Sequence, residues 1–334
     1  MESRKSLQKG ESMEKKAQLT PASITALDEA KARNAANLVR LKAIDRNALS
    51  ASELPHYDAV MFTTAADAEA NSRYAYGDAG AGDPYVISQL NGAYRSVPDF
   101  LGTQHGIETQ ADAEAYLARL TQFAEVMDQE TERSRRDAGL GVIPPDFALE
   151  RALTQMEGLK GDPAASPLVT SIAGRAQAKG IEGDYAARAS AIYLEKVIPA
   201  LDRQIAWVRS LQPQAVHDAG CWRLPDGEAY YRDALKSSTT TTLTPDELHE
   251  LGWEQARALS ARAETILQGE GLTQGSVGER IQGLFKDPKY LYANTDEAKE
   301  QLIADLNKQV AEITPRLPQA FGALPQAAVE IRRV

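Results

Sequence analysis

What this chain has little of narrows its chemistry first. Cys221 is its single cysteine, which excludes an internal disulfide and any Cys-based zinc cluster. Its 4 histidines, His56, His105, His217 and His249, lie far apart, and no two stand at the spacing of zinc ligands on one helix. No apolar stretch approaches the about 20 residues that span a bilayer. Positive charge is in deficit, with 37 Lys and Arg against 47 Asp and Glu and a formal net charge of -10. A phosphate backbone would be repelled, which argues against nucleic acid as a partner. No unit of fixed length recurs, which argues against a regular helical solenoid. The opening MESRKSLQKGESMEKKAQL lacks the apolar core of a signal peptide. Residues 1–19 read as a polar, disordered leader.

What is present is helical periodicity. Over 111–138, Tyr116, Leu120, Phe123 and Met127 recur at spacings of four, three and four; Thr109 or Gln110 opens the segment, and Gly139 closes it as a left-handed cap. Leu194, Ile198, Leu201, Ile205 and Val208 form a second stripe, with a kink expected at Pro199. Ile303, Leu306, Val310, Ile313 and Leu317 form a third, and Leu27, Leu38, Leu41 and Ile44 mark the buried side of a helix over 23–49. Thr244, Pro245 and Glu247 set a capping box ahead of a helix carrying Leu248, Leu251, Leu259, Ala263 and Ile266. Ser50 with Glu53 and Ser276 with Glu279 have the same form. The count reaches about ten helices. The predicted fold is mainly all-α, a multi-helix bundle over 20–334.

Three stretches depart from that pattern. The glycines of YGDAGAGDP (76–84) predict a flexible loop, and 84–102 reads as irregular or strand-like. The run Thr239 to Thr242 reads as an extended connector, because β-branched side chains lose rotamer freedom in a helix. The closing AVEIRRV (328–334) alternates enough for a strand.

Several apparent motifs fail on spacing. His249–Glu250 invites a zinc-peptidase reading, but the residue one turn on is Trp253, so an ordinary satisfied histidine is expected. His217 and Cys221 make a weak nucleophilic pair, and an inert thiol is the better reading. Gly77, Gly80 and Gly82 are flanked by Asp78 and Asp83, which would repel a phosphate. No catalytic, metal or cofactor residue is assigned. For substrate contact the sequence offers Gln89, Tyr94, Arg223, Tyr230 and Thr240, together with Asn91, Arg95 and Tyr231. Amide, phenol and guanidinium groups of this kind suit a wall that holds a peptide backbone. Their structural alternative is to satisfy buried backbone groups in a non-helical segment.

Six stretches in order carry a family resemblance: PYVISQLNGAYRSVPDFLGTQHGIET from Pro84, DAGLGVIPPDFALERAL from Asp137, HDAGCWRLPDGEAYY from His217, LPDGEAYYRDALKSSTTTTLTPDELHELG from Leu224, SVGERIQGLFKDPKYLYANTDEAKEQLIADLN from Ser276 and LPQAFGALPQAAVEIRRV from Leu317. Over about 19–334 the chain resembles the N-terminal half of the bacterial domain-of-unknown-function 885 family, whose full-length members look like zinc-dependent peptidases. That family's His-Glu-x-x-x-Gly-His-His zinc region is missing from this chain. The resemblance implies half of a peptidase-like hydrolase, a clamshell wall that shapes the substrate channel, with zinc expected only in a full-length form. Its partners would be a C-terminal catalytic half and a peptide-like substrate. The alternative is a self-sufficient helical binding or scaffold protein that has lost the catalytic half. Relatives often carry export signals. A histidine that often precedes the family's threonines is replaced here by Ser237 and Ser238, which removes any role tied to it.

Overall fold

The structure, a computed structural model, describes residues 15–322 and 324–333. The leader expected over 1–19 lies outside the described residues as far as residue 14. Residues 15–19 are bound, not loose. Lys16 pairs with Asp112 at 2.6 Å, Gln122 Oε1 accepts the Leu19 N–H at 2.9 Å, and Arg119 donates to the Gln18 carbonyl at 2.9 Å.

Eleven helices form and no strand is present among the described residues. The chain divides into two compact units, Met1–Pro245 and Asp246–Val334. In the first unit α1 (Ile24–Lys42) and α2 (Leu54–Arg73) pack as a hairpin, followed by α3 (Ala93–Thr103), α4 (Gln110–Gly139), α5 (Asp146–Gly158) and α6 (Pro167–Ala178). A composite α7 (185–211) and α8 (Gly227–Thr239) complete it. The Ser50–Glu53 pairing sits one turn ahead of α2, where the Glu53 carboxylate accepts from the Ser50 N–H at 2.9 Å.

The 30-residue α4 is the axis of the first unit. Thr109 and Asp112 close a reciprocal capping box at its start, and Tyr116, Leu120, Phe123 and Met127 are fully buried against α3, α5, α6 and α7. Each such side chain contributes about 1.5–3 kcal/mol on burial. The helix runs through Gly139, and the left-handed residue is Gly141 instead, at φ 87°. The Val142 N–H reaches the Asp137 carbonyl and the Gly141 N–H the Ala138 carbonyl, a Schellman ending two residues later than predicted.

Pro199 acts through a π-turn, not a simple kink. Helical segments Tyr185–Ile192 and Ile198–Leu211 flank a π-turn at Tyr193–Val197, closed by the Ile198 N–H on the Tyr193 carbonyl. Proline cannot donate to the regular ladder, and the widened turn absorbs that loss. The extra residue rotates the stripe, so Tyr193 and Val197 are buried and Leu194 is exposed.

The stretch read as irregular over 84–102 is helical from Ala93. Gly92, Pro98 and Gly102 punctuate the sequence, but Tyr94, Val97 and Leu101 hold a helical spacing and are buried. Tyr74, Tyr76 and Tyr230 form a smaller aromatic cluster where α8 meets α2, alongside ion pairs Arg73–Asp233 at 2.8 Å and Lys236–Glu69 at 2.9 Å. The threonine run is a connector only in part: Thr239 ends α8 and Thr240 takes the left-handed region at φ 55°, while Thr241 and Thr242 lie outside any helix.

The second unit holds α9 (Pro245–Gly269), α10 (Val277–Leu284) and α11 (Asp296–Ile313). The Ser276–Glu279 capping box is present, and buried Arg280 ties α10 back to Glu264 of α9. The strand expected at 328–334 does not form over its described residues. A strand needs a partner, and among the described residues Ile331 is bonded to a side-chain amide instead. Asn307 donates to its carbonyl at 2.9 Å and accepts its N–H at 2.8 Å.

Candidate functional site

The site begins with a change of character along α4. The core stripe of Tyr116, Leu120, Phe123 and Met127 continues, at the same helical spacing, into Glu130, Thr131, Ser134 and Asp137. Thr131, Arg133, Ser134 and Asp137 are all buried. Buried polar groups cost stability unless bonded, and most of these are. Ser134 Oγ accepts the Trp207 indole N–H at 2.9 Å, and Thr131 donates to the Met127 carbonyl at 2.8 Å. Asp137 Oδ2 accepts the Gly77 N–H at 3.0 Å, while Arg133 Nη2 donates to the Gly77 carbonyl at 3.0 Å and pairs with Asp78.

The glycine loop, predicted to be flexible, is therefore pinned across α4. Gly77 is held from both sides at φ 70°, and a Cβ there would lie 2.7 Å from the Asp83 carbonyl oxygen, so only glycine fits. Downstream, Ser88 Oγ accepts the N–H groups of Leu90 and Asn91, each at 3.2 Å. Gly92, at φ 128°, then turns the chain into α3.

At that turn the Ala93 N–H, the first of α3, donates to both oxygens of Glu130, at 2.9 and 2.8 Å. A carboxylate on one helix thus caps the positive end of another. Around it opens a cavity of about 700 Å³, with Asp78, Asn91, Arg95, Ser96, Glu130 and Arg133 among its walls. A second hollow, of about 620 Å³, reaches towards α1 and shares Asp78, Ser96, Glu130 and Arg133 with the first.

Burial drives the Glu130 carboxyl up to about 7, and the Asp78 charge pushes the same way; the Ala93 N–H, Arg133 and Gln204 only partly oppose them. A carboxyl poised near neutrality in a cavity can exchange a proton or read the charge of what enters. Arg133 is 6% exposed, and its Nε has no hydrogen-bond partner among the described residues.

Of the residues chosen from sequence, Asn91 and Arg95 line the cavity, and the others scatter across the first unit. Gln89 lies next to the cavity-lining Leu90, and its Oε1 is buried without a partner among the described residues. Tyr94 is buried, with its hydroxyl 2.7 Å from both the Ser88 carbonyl and Gln155 Oε1 and its ionisation pushed up to about 12 by burial. It supports the cavity wall from behind. Arg223 donates to Tyr85 Oη at 3.0 Å and to the Ile143 carbonyl at 2.6 Å, which is a clamp between segments. Tyr230 is buried 4.9 Å from the Tyr74 ring, and burial raises its hydroxyl strongly. Thr240 is exposed at the end of α8, away from these groups. Sequence reasoning missed Glu130 and Arg133, although polar residues prolonging an apolar stripe were the available signal.

Two of the histidines are accounted for by local contacts, and His217 lies exposed 3.0 Å from Asp146 Oδ1. Buried His105 lies 2.9 Å from the Asp112 carbonyl and 2.8 Å from Arg119 Nη1, and burial first, then neighbouring cations, lower its affinity for a proton. His249 accepts the Trp253 indole N–H at 2.9 Å. Burial pushes the Cys221 thiol up, away from reactivity. Among the described residues no group of three or more His, Cys, Asp or Glu is placed to hold a metal ion. The zinc implied by the resemblance thus has no donor set among the described residues. No described helix is long and apolar enough to cross a membrane.

A comparison with curated proteins returns no match. Among solved structures, one described as a candidate lipoprotein from Colwellia psychrerythraea superimposes with a TM-score of 0.83 at 22% identity. The alignment covers 92% of this chain and 54% of that one, so the chain spans about half the length of its structural relative. At that identity the likeness establishes the fold. Residues 6–334 match the family described as "Bacterial protein of unknown function (DUF885)", and the chain belongs to that family.

Proposed function

We propose that this chain is the substrate-receiving half of a peptidase-like hydrolase, and that the cavity between the glycine loop, α3 and α4 receives a peptide-like substrate. Zinc and the water it activates would come from a C-terminal catalytic half. The observation that carries the reading is the cavity itself: about 700 Å³, with a desolvated carboxyl at Glu130 and a buried guanidinium at Arg133. Pockets with a few convergent polar groups and a perturbed ionisation are the usual places for ligands.

Exposed apolar side chains of the second unit support the two-part arrangement. Trp253, Leu259, Ile266 and Phe285 are exposed, the last at 74%, as surface awaiting a partner would be. The candidate lipoprotein is consistent with an envelope setting for such an enzyme. The test is calorimetric titration of the chain with a set of tri- to hexapeptides, alongside a peptidase assay in excess zinc. Binding without hydrolysis is expected. Hydrolysis by this chain alone would overturn the division of labour, and failure to bind any peptide would overturn the receiving role.

A further inference from the structure

Resting on that reading, we propose that the cavity takes the free N-terminus of a peptide, its α-ammonium group against Glu130 and its first carbonyl oxygen turned to Arg133. The charge balance of the walls points to a cation. Asp78, Asp99 and Glu130 face Arg95 and Arg133, and Arg133 is already paired with Asp78. Glu130 keeps one backbone N–H and no side-chain cation at bonding distance. A desolvated carboxylate so poorly compensated gains most from a ligand that brings positive charge.

An anion is the poorer fit. The N-terminus of α3 would attract one, but its first N–H is already occupied by Glu130, so an incoming anion would meet a carboxylate there. The opposite need appears one helical turn along α4. Arg133 lines the cavity and its guanidinium is bonded only to the Gly77 carbonyl and Asp78 among the described residues, so a peptide carbonyl supplies a further acceptor. Positions i and i+3 share a helix face with Cβ atoms about 5–6 Å apart. An ammonium and the carbonyl of the same residue, each with its hydrogen bond, bridge that separation. Asn91 and Ser96 add neutral donors and acceptors along the path.

The groups whose charge bears on Glu130 come from each neighbouring element: Arg133 from α4, Asp78 from the glycine loop, Arg95 and Asp99 from α3, and Glu29 and Arg33 of α1 across the second hollow. α7 contributes the neutral Gln204. Ionised Glu130 and a protonated amine must coexist for binding. A peptide α-amine titrates near about 7.7–8.0. Affinity is therefore bell-shaped in pH, with its low-pH limb set by Glu130.

The experiment is calorimetric titration of the 334-residue chain with Ala-Ala-Ala amide and with its N-acetylated form, from pH 5.5 to 8.5, repeated on Glu130→Gln. Glutamine keeps an oxygen for the Ala93 N–H, so the start of α3 is preserved. The free amine should bind, acetylation should weaken it about tenfold or more, and affinity should fall about tenfold from neutral pH to pH 5.5. Glu130→Gln should weaken binding and abolish the low-pH limb. Equal affinity for the acetylated peptide would overturn the N-terminal inference and leave a peptide site standing. No binding of either peptide at millimolar concentration would overturn both. The acetylation comparison uses the unaltered chain, so it decides even if the variant fails to fold.

Discussion

Glu130→Gln also makes a sharp statement about stability. In the folded protein the Glu130 carboxyl sits at about 7 against an ordinary value of 4.5, with burial the main cause. Each unit of displacement corresponds to 1.36 kcal/mol, so ionising Glu130 costs the fold about 3 kcal/mol. The sign follows from proton counting. Between pH 4.5 and 7 the folded state holds a proton that the unfolded chain releases, so stability is full below 4.5 and is lost as pH rises through 7. Glutamine cannot ionise and retains the acceptor for Ala93. The variant should match the parent near pH 4.5 and exceed it by about 3 kcal/mol at pH 8. Urea unfolding followed by far-ultraviolet circular dichroism at four pH values measures both curves. The lowered proton affinity of His105 acts on stability with the opposite sign below pH 6.5, but it is common to both proteins and drops out of the difference. Parallel stability curves for the two proteins would refute the assignment of a desolvated, under-compensated carboxyl.

Gly92→Ala should lower stability by about 1–3 kcal/mol, because φ is 128° and the added Cβ would lie 2.9 Å from the Tyr94 ring; an unchanged melting temperature would count against the turn geometry. Arg223→Ala should destabilise by about 1–3 kcal/mol, since the Ile143 carbonyl loses its donor, yet leave peptide affinity unaltered. A selective loss of affinity with stability intact would restore Arg223 to the channel wall. His105 should titrate below 6.5 in a proton NMR experiment, because its ring is buried beside Arg119, Lys16 and Arg175. The His105 contribution to stability should accordingly fall as pH drops below 6.5, opposing that of Glu130, and titration at or above that value would show that the ring is not held neutral.

The helices were legible wherever an apolar period ran unbroken. Tyr116 to Met127 gave away α4, and Ser276 with Glu279 gave away the start of α10. Misreadings came where local chemistry competed with the period. Gly92, Pro98 and Gly102 hid α3, because breaker residues outweighed the spacing of Tyr94, Val97 and Leu101 in a short window. Leu194 seemed part of a core stripe because nothing in the spacing reveals that a π-turn before Pro199 inserts one extra residue. Alternation over 328–334 met no partner strand, and pairing partners are a tertiary fact. For the site, residues were sought in irregular stretches. Arg223 and Tyr94 turned out to satisfy backbone and packing, while Glu130 and Arg133 sat inside the most regular helix of the chain. Which of two polar residues on a helix faces a hollow depends on α3 and the glycine loop, which no window over α4 contains.

The polar end of α4 divides into residues that the fold needs and one that it does not. Asp137 and Arg133 hold Gly77 from both sides, and Ser134 anchors Trp207, so their burial is offset by bonds that fix the glycine loop and α7. Glu130 caps α3 through a single N–H, which a neutral glutamine would serve as well. Its charge adds only cost, about 3 kcal/mol at neutral pH and above. A domain is stable by about 5–15 kcal/mol in all, so a penalty of that size is a large share to carry without return. Packing gives none, since the side chain borders a cavity and not the core. A charge that weakens the fold, placed where a ligand of opposite charge would relieve it, has its reason in binding.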